Sequence, residues 1–179
     1  MFGICNLAIV PLRLEPSDRS ELTSQVLFGD YFTILEQTQN WSRIELAFDR
    51  YTGWIDNKQF RVISESEYNT LSNSPMVLNG DLLEYISTPD NLLTTIPLGA
   101  DITFLNNPAL NTENFLFEGL RAQGVTGRQN LLQTAFMYLN APYLWGGKTP
   151  FGIDCSGIYS IEKRKNFFFI FRNDGFTMF

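Results

Sequence analysis

Short runs in which apolar and polar residues alternate fill the first sixty residues of the chain. Runs such as SQVLFGDYFTILEQ and WSRIELA are rich in aromatic and β-branched residues, and turn residues at Gly29-Asp30 and 49–53 separate them. This spacing predicts several short strands that form a small β-barrel. Next, Ser64 and Glu67 have capping-box spacing, which predicts a short helix that ends near residues 73–75.

The same pattern returns about seventy residues later. LFGDYFTIL at Leu27–Leu35 and PLGADITFL at Pro97–Leu105 align without gaps and share a glycine, a threonine and a leucine. The match predicts a second small β-barrel, in which a turn glycine is again followed by a strand of the same periodicity. Coincidence between two ordinary hairpins is the alternative.

From Gly127 the period becomes helical, and Pro142 ends the run. The apolar positions at helical spacing are Leu131, Leu132, Ala135, Phe136 and Leu139. We therefore predict a mainly β protein with an α+β remnant. Its predicted units are a barrel at 1–63, a helical linker at 64–74, a second barrel at 75–123, a third unit at 127–157 and a tail at 158–179.

Composition narrows the function classes. The chain has 179 residues, 44% of them hydrophobic, and its net charge of −6 with 13 scattered Lys and Arg argues against a nucleic-acid binder. Its two cysteines, Cys5 and Cys155, are too far apart to suggest a disulfide framework or metal cluster, so we expect neither metal nor cofactor. Without a basic leader or an apolar run of about 20 residues, we expect a cytoplasmic protein that does not associate with membranes. Cys5, Trp41 and Trp54 are predicted to be core residues of the first barrel.

The stretch YLWGGKTPFGIDCSG, residues 143–157, is the setting of a candidate nucleophile. Cys155 follows a glycine and proline turn, and the N-terminus of a helix there would favour its thiolate. Asp154 or Ser156 could cap that helix, and the glycines would let the backbone approach a substrate closely. A buried structural cysteine at a helix start is the alternative.

APYLWGG followed by PFGIDCSG resembles the nucleophile region of the NlpC-type peptidoglycan peptidases, which are papain-like cysteine peptidases. PSDRSELTSQVLFGD and YTGWIDNKQF resemble the first of the bacterial SH3-like domains that precede this catalytic domain in intracellular members. The resemblance covers residues 128–157 and the two barrels. It implies an enzyme of cell-wall recycling that hydrolyses the bond between γ-D-glutamate and a diamino acid in muropeptides carrying a free N-terminal L-Ala.

The resemblance also assigns roles to individual residues. The implied site consists of catalytic Cys155 and Tyr143 and of substrate-binding Asp154, Ser156, Glu21 and Tyr51. The Tyr143 hydroxyl would donate a hydrogen bond to the developing oxyanion, and Glu21 with Tyr51 would bind the ammonium group of the substrate. An exposed glutamate and an aromatic core residue are the alternatives for this pair. Trp145 is predicted to pack rather than to take part in chemistry.

The chain contains no histidine, although such peptidases use one as the base. After Gly157 the sequence departs from the family pattern, so we expect an incomplete and inactive copy with a frameshifted or prematurely stopped tail. A tail segment KRKNFFFIFR that adheres to membrane surfaces is a second explanation. A muropeptide-binding pseudoenzyme, or an enzyme completed by a histidine of another chain, is the third.

Overall fold

The first sixty residues form the predicted barrel in a computed structural model that describes residues 1–123 and 134–170. Seven antiparallel strands form its sheet in the order β3-β2-β6-β5-β4-β1-β7. They are β1 (Phe2–Ile4), β2 (Ile9–Arg13), β3 (Leu22–Leu27), β4 (Tyr31–Gln37), β5 (Trp41–Leu46), β6 (Thr52–Asp56) and β7 (Arg61–Ile63). The apolar positions of the alternating pattern face inward, and Cys5 is buried among them as predicted. Trp41 and Trp54 are only half-buried and lie outside the buried cluster of the barrel, so the prediction that they are core residues is wrong.

A single helix, α1 (Glu65–Asn73), follows the first barrel. The predicted capping box is present: the Ser64 hydroxyl accepts from the Glu67 N–H at 3.2 Å, and the Ser64 N–H donates to the Glu67 carboxylate at 2.7 Å. Leu71 is the buried residue of this helix and packs into a core that contains residues of both barrels. The linker is therefore part of the packing between the two units.

The second barrel has one feature that the sequence repeat did not predict. Its strands are β8 (Val77–Asn79), β9 (Leu83–Ser87), β10 (Leu93–Pro97), β11 (Leu116–Phe117) and β12 (Arg121–Gln123), paired as β10-β9-β11 and β12-β8. The prediction of a strand after Gly99 is wrong, because Thr103–Asn106 forms a 3₁₀ helix. The Asp101 carboxylate accepts from the Thr103 N–H at 2.8 Å, and this local bond turns the chain away from the extended conformation.

The two repeated glycine turns meet at the junction of the barrels. Gly29 and Gly99 both have left-handed backbones, with φ of +80° and +82°. The Asp101 N–H donates to the Phe28 carbonyl at 2.9 Å, which joins the turns through the backbone. A hydrophobic cluster runs through the junction and includes Ile4, Phe28 and Ile63 of the first barrel with Val77, Ile86 and Ile102 of the second. The predicted mainly β fold class is confirmed.

A third unit packs against both barrels. Residues 134–137 are helical, β13 (Lys148–Thr149) and β14 (Gly152–Ile153) form a hairpin, and α2 (Cys155–Ile170) follows. Its apolar cluster joins residues of all three units, namely Leu27, Leu98, Tyr138, Ile153 and Ile161. Among residues 1–123 and 134–170, no helix has the length and apolar character needed to cross a bilayer.

Two sequence predictions fall partly outside the described residues. Leu131 and Leu132 of the predicted helix lie there, while Phe136 and Leu139 are exposed. Residues 171–179 of the tail also lie outside, but the helix that starts at Cys155 continues beyond Gly157.

We predict that Asp101 makes stability depend on pH. Burial raises the pKa of Asp101 from 3.8 to about 6, although hydrogen bonds from Thr103 oppose the shift. The folded state thus holds this proton more tightly than the unfolded state, so the contribution of Asp101 becomes less favourable as pH rises from about 4 to about 6. Asp101→Asn keeps an acceptor for Thr103, and we expect it to raise the free energy of unfolding at pH 7.5 by about 2 kcal/mol.

Urea unfolding of wild type and variant between pH 4 and 8 measures this effect. The stability difference between them is expected to shrink as the pH falls towards 4. Asp90→Asn, which alters an exposed carboxylate of the same barrel, is the matched control. A difference between Asp101→Asn and wild type that stays constant across this range would contradict the prediction.

Candidate active site

Cys155 is the first residue of α2, and it is exposed. The preceding Asp154 caps this helix: its Oδ1 accepts from the Gly157 N–H at 2.7 Å and from the Ser156 hydroxyl at 2.6 Å. Partial burial acts to raise the pKa of Asp154, but these bonds and one from the Gly146 N–H outweigh it and hold the pKa below its usual range. The cap therefore stays ionised at neutral pH and fixes the turn that carries the thiol.

The glycines of the motif allow a close approach between the loop and the helix. The Asp154 Oδ2 accepts from the Gly146 N–H at 2.7 Å, and Gly146 has a left-handed φ of +73°. A Cβ atom on Gly157 would overlap the carbonyl oxygen of Gly147. The Asp154 N–H donates to that same carbonyl at 3.3 Å, so loop and helix share one compact turn.

Tyr143 lies beside the segment that leads to the cysteine. Its backbone forms a parallel bridge with Ile153, two residues before Cys155, and its side chain is 70% exposed. Trp145 is 60% exposed, so the prediction that it packs is wrong. Both aromatic side chains are thus open to solvent on the segment that leads to Cys155.

The first barrel reaches this loop through the beginning of β3. The Trp145 indole N–H donates to the Glu21 carboxylate at 2.7 Å, although the two residues are 124 positions apart. A Cβ on Gly146 would come within 2.6 Å of the Leu22 carbonyl oxygen, so only glycine fits there. The Tyr51 hydroxyl donates to the Thr23 carbonyl at 3.3 Å. Glu21 and Tyr51 therefore lie on the barrel edge that contacts the nucleophile loop.

A buried lysine marks the same interface, and the sequence analysis did not identify it. The Lys148 N–H donates to the Gln25 side chain at 2.7 Å, and its ammonium group lies 3.8 Å from the Asp49 carboxylate. Burial lowers the pKa of Lys148, and the nearby Arg164 lowers it further. Because these contacts join segments about a hundred residues apart, no local spacing in the sequence could have revealed them.

The two cysteines have different environments. Burial raises the pKa of Cys5 to about 12, so its thiol is inert at neutral pH. Cys155 is exposed at a helix N-terminus, which suits a nucleophile. The site thus holds an exposed thiol, a capping carboxylate and the barrel edge that contains Glu21 and Tyr51.

Known proteins resemble the first barrel and also most of the whole chain. Residues 12–60 match the family described as the bacterial dipeptidyl-peptidase SH3 domain. Dipeptidyl-peptidase 6 of Lysinibacillus sphaericus is 28% identical, over 90% of this chain and 68% of that protein. The γ-D-glutamyl-L-lysine dipeptidyl-peptidase of Bacillus subtilis is 25% identical, over 82% of this chain and 54% of that protein.

A solved structure shows the same fold. The crystal structure of a NlpC/P60 family protein from Bacillus cereus superimposes with a TM-score of 0.74, at 17% identity, over 92% of this chain and 72% of that one. The resemblance predicted from the sequence is confirmed. The chain spans between half and about two thirds of the curated relatives that it matches.

Proposed function

We propose that this chain carries the nucleophile and the substrate-recognition edge of a cytoplasmic cysteine peptidase of peptidoglycan recycling. The proposed substrate is a muropeptide of the type L-Ala-γ-D-Glu-diamino acid, and the proposed cleavage is at the γ-D-glutamyl bond. One observation carries the proposal: Glu21 of the SH3-like barrel bonds to Trp145, within the loop that leads to the exposed Cys155. The names of the relatives, which include γ-D-glutamyl-L-lysine dipeptidyl-peptidases, support the substrate class.

The proposed roles follow from the chemistry of each group. In an enzyme with the histidine base, the Cys155 thiolate would attack the γ-glutamyl carbonyl carbon, and the Tyr143 hydroxyl would donate to the oxyanion that forms. Glu21 and Tyr51 bind the free amine of L-Ala, and Ser156 contacts a polar group of the substrate. Asp154 acts chiefly through the turn, because both of its carboxylate oxygens accept bonds from the protein. We propose no metal or cofactor in this reaction.

The 179-residue chain is proposed to bind this peptide without hydrolysing it. A leaving amine needs a proton, and thiol peptidases take it from a histidine, which this sequence does not contain. Recognition by the barrel edge does not depend on that histidine. A muropeptide-binding module is therefore the second candidate function. The Glu21–Trp145 contact favours this function, because it fixes Glu21 on the recognition edge and needs no histidine base.

Calorimetry and product analysis with L-Ala-γ-D-Glu-diaminopimelate test the proposal. We expect binding without released products, and Glu21→Ala is expected to weaken the binding about 10- to 100-fold, because a charge-assisted hydrogen bond is lost. The same peptide with an acetylated N-terminus should bind as weakly to wild type as the free peptide binds to Glu21→Ala.

Two variants serve as controls. Glu118→Ala, on the second barrel, removes an exposed carboxylate and should leave binding unchanged. Turnover that disappears in Cys155→Ser would show that the chain is an active enzyme and overturn the proposed inactivity. Equal affinity for the free and acetylated peptides would instead overturn the role of Glu21.

A further inference from the structure

The nucleophile helix α2 has two distinct faces. Gly157, Ile161 and Arg164 follow one another at spacings of four and three, so they share one face, and all three are buried. Cys155, Tyr159 and Lys163, at spacings of four, share another face and are all exposed. At about 100° per residue these faces lie on roughly opposite sides of the helix. The rotation of α2 about its axis therefore decides whether the thiol points to solvent.

Arg164 makes polar contacts with both barrels. Its guanidinium binds the Asp30 carboxylate in a two-pronged ion pair, in which Nη1 contacts Oδ1 and Nη2 donates to Oδ2 at 2.8 Å. Nη1 also donates to the Gly99 carbonyl at 3.2 Å, and the guanidinium carbon lies 5.0 Å from the centroid of the Phe48 ring. Asp30 directly follows Gly29, so Arg164 bridges the two turns that the sequence repeat relates.

Ile161 adds an apolar contact to this face. It is fully buried with Leu27 and Leu98, one from each barrel. A Cβ on Gly99 would lie 2.9 Å from its Cδ1 atom, so the helix sits directly on the second glycine turn. The buried face of α2 thus fits a surface that exists only when both barrels are folded and joined.

We propose that Arg164 is a positioning residue for Cys155, which sets the rotation and seating of the nucleophile helix on the joined barrels. It lies nine residues from the thiol, about 13 Å along the helix, so it acts through the helix and not by contact. The docking is independent of the proposed function, whereas its consequence for peptide binding rests on that function. The site forms only after both barrels have folded, because Asp30 and Gly99, which bind this guanidinium, belong to different barrels.

The chemistry of the pair explains why an arginine stands at this position. A planar guanidinium matches both carboxylate oxygens and still has a donor for the Gly99 carbonyl, whereas a lysine ammonium offers no such fork. Removing the arginine leaves the Asp30 carboxylate buried without its cation, which is strongly unfavourable. Substituting Asp30 with asparagine removes that charge and keeps an acceptor for the Leu27 N–H, now bonded at 2.9 Å.

Amide hydrogen exchange of the full chain tests the proposal. We expect Arg164→Gln to accelerate exchange at Gly157 and Gly146, whose N–H groups bond to Asp154, by at least about tenfold, while strands β5 and β9 keep their protection. Arg164→Lys should give a smaller acceleration. The double variant Asp30→Asn/Arg164→Gln should recover part of the lost protection, because it leaves no unpaired buried charge.

Lys163→Gln is the matched control, since it removes the same charge from the exposed face of the same helix and should leave exchange unchanged. Exchange at Gly157 that is equal in wild type and Arg164→Gln would overturn the proposal. Loss of protection throughout β5 and β9 in the double variant would also overturn it, because Arg164 would then hold the whole fold and not the site.

Peptide binding is a second readout, and we expect it to weaken about tenfold in Arg164→Gln. Failure of the proposed function would remove that readout but not the exchange effect.

Discussion

Gly29→Ala is expected to open the junction between the barrels and to lower the free energy of unfolding by about 3–5 kcal/mol. The left-handed φ of +80° at Gly29 costs an alanine about 1–2 kcal/mol. The new Cβ would also overlap the backbone carbonyl of Asp101, which cannot move without breaking the Asp101 to Phe28 hydrogen bond. Since small proteins are stable by only about 5–15 kcal/mol, this change is expected to remove a large share of the stability. Chemical denaturation followed by tryptophan fluorescence measures it.

Gly99→Ala separates the two causes of that loss. Its φ of +82° is almost identical, but the nearest atom to the new Cβ is Cδ1 of Ile161, the end of a flexible side chain. We expect it to cost only about 1–2 kcal/mol, the backbone strain alone. Equal losses for the two variants would show that the close backbone approach at Gly29 does not hold the barrels together.

Local features of this fold could be predicted from the sequence because neighbouring residues determine them. The capping box at Ser64 and the helix start at Cys155 both depend on residues within a few positions. The strand predicted after Gly99 was wrong because one side chain, Asp101, bonds to the backbone two residues on and overrides the apolar alternation. The periodicity of apolar residues predicts which faces are buried, but it contains no information about a single side-chain hydrogen bond of this kind.

Contacts between the units could not be predicted, because they join segments that the chain brings together only after each has folded. Trp145 was predicted to pack, and it instead donates to Glu21 on the surface. The resemblance suggested Glu21 as a site residue, and the fold does bring it to the nucleophile loop. Its role in binding the substrate stays a prediction until the peptide is tested.

The sequence departs from the family pattern after Gly157, and the packing of the residues that follow limits which side chains fit there. Ile161 and Arg164 lie beyond Gly157, and both are buried against the barrels. Few residue types would be tolerated at position 164, because its side chain forms a two-pronged buried ion pair with Asp30. The start of the tail therefore matches its surroundings up to Arg164.

Gly157→Ala is expected to separate the nucleophile turn from its loop. In an exposed helix the change would stabilise by up to about 1 kcal/mol, because alanine is the better helix former. Here the new Cβ would overlap the Gly147 carbonyl oxygen, so the start of α2 or the loop must move and the hydrogen bond from the Asp154 N–H to the Gly147 carbonyl is lost. We expect a net loss of about 2–3 kcal/mol in the free energy of unfolding and at least a tenfold loss in affinity for L-Ala-γ-D-Glu-diaminopimelate.

The sign of the stability change in Gly157→Ala shows whether helix propensity or the overlap with the Gly147 carbonyl is the larger effect. Lys163→Ala, on the exposed face of the same helix, is the matched control and should change stability by no more than about 0.5 kcal/mol. If Gly157→Ala stabilised the chain, helix propensity would outweigh the contact, and the glycine after Cys155-Ser156 would not be required by packing. A loss of peptide affinity with both barrels still folded would show that the turn at Asp154 carries recognition as well as the nucleophile. Because the Asp154 carboxylate accepts from the N–H groups of both Gly146 and Gly157, movement at either glycine disturbs Asp154, the residue next to Cys155.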